Sequence, residues 1–501
     1  MNVVNLFVEN AQKYPDKMAI IEQGQSITYG RLSREVSDTA AYFKMKGIGK
    51  GDRVLVFVPM SIDLYRVVIA LFHIGATAVF LDAWVNKSRM ELCCKIAGCK
   101  GFIGVWKAKV FSFFSKELRK IPIKLSLKNN VIKSNVKPLE VENDHPALIT
   151  FTTGSTGTPK AALRSHDFLT EQFDALLEEI NPQPNDVAMS VLPIVLFVNL
   201  GVGCTSVIAD FKMSKPDSLK VDKIIKQIET NQINRIIASP FFIKKLSGYL
   251  IQNKQTLSSI QQLFTGGAAV FPAEAAIYKA AFPNTKSVIA YGSTEAEPIS
   301  SITVDELLGK ADLLEKGLPV GAVFPRAEVR IIKQLDQAMP NVSPHDFELL
   351  TLPDTKIGEI VVSGPHVLKK YFNNEKAFKE NKIISGDRIW HRTGDSGFLE
   401  GNQLFLTGRC KQLIKYNGQY LAPFIIENKL QQLEGIEMGT MIKKLDKIHL
   451  VIASSLTKKQ LEKRILALEL PYDKLIVLDK MPVDPRHRSK IDYEALGSMI
   501  M

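Results

Sequence analysis

The spacing of apolar positions divides the chain into segments of alternating period. Residues 2–14 carry apolar side chains at helical spacing. Ala19-Ile-Ile-Glu22 and Ser26-Ile-Thr-Tyr29 then read as short strands around a turn at Gln23-Gly24-Gln25. The helical period returns from Tyr29 to Met45, and residues 47–51 form a turn. Arg53-Val-Leu-Val-Phe-Val58 is continuously apolar, as in a strand covered on both faces. Residues 61–72 predict a helix and 77–81 a strand. Helix alternating with apolar strand predicts an α/β protein: mainly parallel sheet with helices on its faces.

The alternation continues through the middle of the chain. Residues 161–180 predict a helix opening with Arg164, Ser165 and His166, and Val187-Ala-Met-Ser190 predicts a strand leading into an apolar wall at 194–200. A helix at 224–228, strands at 233–238 and 262–266, a helix at 270–281 and a strand at 287–290 follow. The 262–266 strand runs into Gly266-Gly267, where a backbone can approach a flat ligand closely. From Gly317 strands dominate, which predicts a β-rich subdomain beside the α/β layers. Beyond Gly408-Arg409 the pattern helix, strand, helix, strand predicts a small mobile α+β lobe, so the expected division is residues 1–409 and 410–501.

At 501 residues, 46% hydrophobic and 23% charged, the chain is globular and longer than one ordinary domain. The apolar runs 67–84 and 191–208 approach membrane-span length but are interrupted by His73, Gly75 and Asp82, and by Pro193 and Asn199. They read as a buried helix with its strand and as a site wall. The first ten residues lack the basic start and long apolar core of a secretory signal. The five cysteines form no C-x-x-C pair, which fits a reducing cytoplasm, and the eight histidines form no H-E-x-x-H. A cytoplasmic protein without a protein-built metal cluster is expected.

The net charge of +12 points to acidic partners: nucleotide, acidic carrier protein or anionic lipid. No nucleic-acid-binding module is recognisable, and none is expected to bind. Residues 107–137 hold nine basic residues against the single acid Glu117, with aromatics in Val110-Phe-Ser-Phe-Phe114. This reads first as a surface helix with a basic loop; the same chemistry suits weak contact with an anionic membrane or a carrier protein.

Candidate chemistry begins at Ile149-Thr-Phe-Thr-Thr-Gly-Ser-Thr-Gly-Thr-Pro-Lys160. A strand ending in Thr152, Thr153, Gly154, Ser155, Thr156 and Gly157 offers main-chain N–H and hydroxyl donors to an anion, and Lys160 adds a cation. It is not the common nucleotide loop, because Gly157 is followed by Thr-Pro-Lys. Tyr291-Gly292-Ser293-Thr294-Glu295 ends an apolar strand, where an aromatic ring, hydroxyls and a carboxylate suit purine, phosphate and Mg²⁺. Thr393-Gly-Asp395 alone is a turn, and Pro485-Arg-His-Arg-Ser-Lys490 alone a basic tail.

Together, in this order, these pieces resemble the adenylate-forming superfamily of acyl-CoA ligases, luciferases and peptide-synthetase adenylation domains. The longest match is Gly408-Arg-Cys-Lys-Gln-Leu-Ile-Lys-Tyr-Asn-Gly-Gln-Tyr-Leu-Ala-Pro423. The resemblance implies ATP and Mg²⁺ as cofactors and a small-molecule carboxylic acid as substrate. It assigns residues 152–157, Lys160, Gly267, Tyr291, Gly292, Ser293, Asp395 and Arg409 to the nucleotide, and Thr294, Glu295 and Lys490 to catalysis. Glu295 is the implied Mg²⁺ ligand, Lys411 the hinge, and Gly418 a residue beside the acceptor thiol's tunnel. Residues 291–300 and 481–491 look most like the olefin-pathway group, which closes a β-hydroxy acid into a β-lactone. A fatty acyl-CoA ligase, with CoA or an acyl carrier protein as acceptor, and a catalytically silent nucleotide-binding protein are the alternatives. Departures from the family pattern are Ala161 and Ala162 after the loop lysine, Ser489 and Tyr493 around Lys490, and the missing histidine or aromatic in Pro193-Ile-Val-Leu-Phe197.

Overall fold

The computed structural model describes residues 2–81, 87–127, 134–152, 159–211, 215–310, 313, 315–484 and 490–500, with only the main chain of Thr152. Among these, two large sheets share a helical core. The smaller has seven strands in the order Lys370–Tyr371, Lys160–Ser165, Pro146–Thr152, Thr77–Phe80, Arg53–Phe57, Gly101–Gly104 and Ile123–Leu125. Its five later members pair in parallel, with Val54 opposite both Ala78 and Gly101. This explains the uninterrupted apolar run at 53–58, since both faces of that strand are covered. The helix Ile62–His73 is buried from Leu64 to His73. One apolar core combines its Tyr65, Val68 and Leu71 with Val54 and Ala78 of the small sheet and Ile20 of the large one.

The second sheet has fourteen strands. Its parallel part carries Thr205–Ile208, Val187–Ser190, Arg235–Ala238, Gln262–Gly266 and Lys286–Ser293. The strands from Ala296 to Arg409, apart from Lys370–Tyr371, continue the same sheet by antiparallel pairing, so the expected β-rich subdomain is an extension of this layer. Both apolar runs of near-membrane length resolve into a helix followed by a strand: Ile62–His73 with Thr77–Phe80, and Pro193–Val202 with Thr205–Ile208. Among the described residues no helix is long and apolar enough to cross a membrane.

One sequence expectation fails locally. The helix expected from residue 161 starts at His166; Lys160–Ser165 is a strand paired antiparallel with Pro146–Thr152, Phe151 opposite Ala161 and Ile149 opposite Leu163. Hairpin pairing outweighs the helical preference of Ala-Ala-Leu-Arg, and Ser165 then caps the helix by accepting from Phe168 N–H at 3.2 Å. Thr393-Gly-Asp395, a turn when taken alone, lies inside the long strand Arg388–Glu400, in keeping with the run of strands expected after Gly317; Gly394 has φ +70° there.

The last ninety residues build their own three-stranded sheet from Met438–Lys444, Lys447–Ala453 and Lys474–Leu478. Tyr493, one of the departures from the family pattern, turns inward here. Its phenol donates to Glu427 Oε1 at 2.5 Å, and Thr440 Oγ1 donates to the same oxygen at 3.0 Å. Burial pushes the Glu427 carboxyl up from 4.5 to about 7, against the pull of these two donors. The folded state therefore keeps a proton that the unfolded chain releases, and stability falls as pH rises between about 4.5 and 7. Glu427→Gln is expected to flatten that window in denaturant titrations across pH; an unchanged slope would remove Glu427 as its source.

A second expectation concerns Gly321, which lies in a strand with φ +88° where an added Cβ would stand 1.7 Å from the Ser301 carbonyl oxygen. Gly321→Ala combines strain with a main-chain clash and is expected to cost about 2–3 kcal/mol, read as a lowered Tm by circular dichroism.

Candidate active site

The candidate nucleotide residues gather along the ligand-facing ends of both sheets. Thr152 and Lys160 are directly opposed across the hairpin of the small sheet. Of the loop residues between them, Thr153, Gly154, Ser155, Thr156 and Gly157 lie outside the described residues. In the large sheet Gly266 pairs with Ala290, which puts Gly267 and Tyr291 beside each other just past two parallel strands. Gly267 has φ +89°, a left-handed turn that glycine adopts without strain. Ser293 pairs with Ala296, so Thr294 and Glu295 are the two-residue apex of a hairpin. Gly292 has no room for a side chain, because a Cβ there would lie 2.8 Å from the Ala296 carbonyl oxygen.

Aromatic, carboxylate and guanidinium meet on the floor of this site. The Tyr291 phenol donates to Asp395 Oδ2 at 2.9 Å, while Arg409 Nε pairs with Asp395 Oδ1 at 3.0 Å. Arg409 also donates to the Thr393 carbonyl at 3.1 Å. Asp395 holds the Arg409 guanidinium more firmly protonated than usual, and burial followed by Asp395 raises the Tyr291 phenol. Each Asp395 oxygen retains a lone pair for a further O–H donor.

Lys160 Nζ donates to Asn381 Oδ1 at 2.6 Å. Burial lowers its pKa; Glu295 and Glu380 counter this, and Lys411 and Arg409 push it further down. Lys160 thus feels two further cations as well as the Glu295 carboxylate, an arrangement that polyphosphate oxygens would relieve. Lys411 is in the short turn Cys410–Gln412, and Gly418 is at the Asn417-Gly418 tip of the hairpin Ile414–Tyr416 to Gln419–Leu421. Lys490 has a separate local frame: its carbonyl accepts from Asp484 N–H at 2.8 Å, and Val483 bridges Ile491. Pro485 to Ser489, between them, lie outside the described residues.

Several residues that support the site were not marked by sequence reasoning. The Leu368 N–H donates to the Glu295 carbonyl at 2.7 Å, and the Tyr371 phenol donates to Glu295 Oε1 at 3.3 Å. Lys382, fully buried, donates to the Leu368 carbonyl and lies 5.8 Å from the centre of the Tyr371 ring. Burial drives its ammonium down to about 7; Glu295 opposes this and Lys160 adds to it. Arg164 Nη2 donates to the Thr294 carbonyl at 3.1 Å. No local signal marks these supports: Val367-Leu-Lys-Lys-Tyr371 shows no strand alternation, and Lys382 stands in a stretch of ordinary composition.

The helix Pro193–Val202 borders a small apolar cavity of about 70 Å³, with Val4, Phe7, Ile69, Phe72, Phe197 and Leu200 in its walls. Gln172 is its one polar liner: it is 2% exposed, and its Oε1 has no hydrogen-bond partner among the described residues.

The AMP-binding enzyme family model matches residues 7–372, well over half of the chain and across both sheets. The chain belongs to the AMP-binding enzyme family. An olefin beta-lactone synthetase from Xanthomonas campestris pv. campestris is 25% identical over 536 aligned positions, covering 97% of this chain and 95% of that protein. A 4-coumarate–CoA ligase from Humulus lupulus is 26% identical, covering 84% and 78% of the two chains. The structure of ATP-bound MatB from Rhodopseudomonas palustris has the same fold: TM-score 0.83, 20% identity, covering 100% of this chain and 99% of that one. This AMP-binding enzyme is accordingly an adenylate-forming ligase that activates a carboxylic acid.

Tyr371→Phe removes one hydrogen bond from Glu295 while preserving the ring. The substitution is expected to lower kcat for acid-dependent pyrophosphate release about tenfold with a smaller change in KM for ATP, in line with a contact that matters most in the transition state. Steady-state kinetics beside a melting curve checks it; a full-rate Tyr371→Phe enzyme would deny the phenol that role.

Proposed function

We propose that this enzyme activates a 3-hydroxy fatty acid on Mg·ATP and closes it to a β-lactone. The observation that carries the reading is the hydrogen-bonded floor of Tyr291, Asp395 and Arg409, with Lys160 and Glu295 in one another's field, which suits Mg·ATP. The apolar lining of the cavity beside the helix Pro193–Val202 supports an apolar acid. The similarity to a beta-lactone synthetase along nearly the whole of both chains supports closure to a β-lactone.

In this reading Asp395 accepts the ribose hydroxyls, Tyr291 covers the adenine, and Gly267 lets the main chain approach the base. The hydroxyls and glycines from Thr152 to Gly157, with Lys160, hold the β- and γ-phosphates, and Arg409 and Thr294 orient the α-phosphate. The Glu295 carboxylate fits Mg²⁺: it sits at a hairpin apex fixed by Leu368 and Tyr371, in the field of Lys160. Bound there, Mg²⁺ would neutralise phosphate charge. A carboxylate oxygen of the substrate attacks the α-phosphorus, the bond to the bridging oxygen breaks, and pyrophosphate departs. Lys490 supplies a cation between carboxylate and α-phosphate during this step. The 3-hydroxyl oxygen then attacks the activated acyl carbon, AMP leaves, and the hydroxyl proton passes to solvent.

We further place the division between two bodies at residues 409–411, with Lys411 as the pivot that presents Lys490 for the first step. Gly408 has φ +135° and a Cβ there would meet Pro423 at 3.0 Å, so this joint has no room for a larger residue. A thioester route to CoA or an acyl carrier protein is the second reading, supported by the similarity to a 4-coumarate–CoA ligase. ATP with a panel of plain and 3-hydroxy fatty acids, with and without CoA, read by mass spectrometry, separates them. Lactone formation without CoA supports the proposal, and acyl-CoA from plain acids overturns it. Lys490→Ala is expected to depress pyrophosphate release about a hundredfold or more while binding of ATP persists; unchanged release would remove Lys490 from its role.

A further inference from the structure

Away from the candidate site, the structure gathers an exposed aromatic patch on the rim of the small sheet. The helix Trp106–Ser112 buries Ala108 and Ser112, four residues apart, and so turns its other face outward. Trp106 is 69% exposed, Phe113 70% and Phe114 69%, with Val110 and Phe111 also on the surface. Large rings clustered in nine residues are not the scattered exposure usual for a soluble surface.

The charged residues on either side of the patch in the chain are mostly basic. Residues 87–124 hold ten basic residues, among them Lys95, Lys100, Lys107, Lys116, Arg119 and Lys120, against the acids Glu91 and Glu117. Both acids are engaged locally: Glu91 accepts from Ser115 and from the Lys116 N–H, and Glu117 pairs with Lys120 at 2.7 Å. Lys107 lies 5.6 Å from the Trp106 ring centre, with its ammonium on the solvent side of the helix. Tryptophan and phenylalanine flanked by lysines match the headgroup boundary of an anionic bilayer, where rings enter the interface and cations meet phosphate.

We propose that the surface around Trp106, Phe113 and Phe114 docks this enzyme on anionic lipid bilayers. The inference stands whichever acid is activated, and it gives the enzyme access to acids that partition into lipid. The surface anchors by burying rings, without a spanning segment.

The test uses the full chain and vesicles of phosphatidylcholine, with or without about one-third phosphatidylglycerol. Cosedimentation is expected to favour the anionic vesicles about tenfold or more and to weaken as salt rises. Tryptophan fluorescence should shift to the blue on binding; Trp390 is already buried at 3% exposure, and Trp106→Phe should lose the shift, which separates Trp106 from Trp84, but still sediment with vesicles. Phe113→Ser/Phe114→Ser and Lys107→Glu/Lys109→Glu/Lys116→Glu should each lose most binding, with pyrophosphate release from a short soluble acid unchanged. Equal binding to neutral vesicles, absent binding, or full retention by the double serine variant overturns the proposal. Capture of an acidic carrier protein through the same residues, without vesicle binding, also overturns it and assigns the patch to a protein.

Discussion

Residues 366–372 hold the two sheets together where it matters for the chemistry. At one end, the Leu368 N–H bonds to the Glu295 carbonyl, at the apex of a large-sheet hairpin. A few residues on, Tyr371 pairs with Ala162 and the Phe372 N–H bonds to the Ala161 carbonyl at 2.8 Å, in the strand that follows the phosphate-loop residues. One short crossing thereby sets the distance between Lys160 on one sheet and Glu295 on the other. Lys382 braces it from below through the Leu368 carbonyl, at the expense of a desolvated ammonium. A buried cation is tolerated there because a carbonyl, an aromatic face and a nearby carboxylate share its charge.

The periods in the sequence made most of the architecture readable. The helix expected from Tyr29 to Met45 is found over Tyr29–Met45, and the doubly covered strand at residue 53 lies where its apolar run placed it. Such elements are decided locally, by which face must leave water. Lys160–Ser165 was misread for the opposite reason, since its strand state depends on partners at 146–152 and 370–371, far away in the chain. The β-rich tail was readable as strands, but its membership of the large sheet is a matter of long-range register.

The candidate site was legible to the extent that it is written in contiguous motifs. Tyr291, Thr294, Glu295, Asp395 and Arg409 each stand in a short signature, and the structure brings Tyr291, Asp395 and Arg409 into one hydrogen-bonded group. The supports were not legible. Lys382 sits in a stretch of ordinary composition, and Asn381 and Tyr371 acquire meaning only through Lys160 and Glu295, distant in sequence. Tyr493, read first as a departure from the family pattern, serves the interior of the last lobe, bonded to Glu427.

Because the crossing at 366–372 works through N–H and carbonyl groups, which every residue but proline carries, it constrains the chain's path far more than its side chains. Ala161 and Ala162 can stand in its partner strand in place of the expected glycine, each buried on its own face of the sheet. Descendants of one ancestor can therefore exchange most of their side chains and keep the spacing of the two sheets. A solved structure sharing one residue in five has the same fold along the full length of this chain.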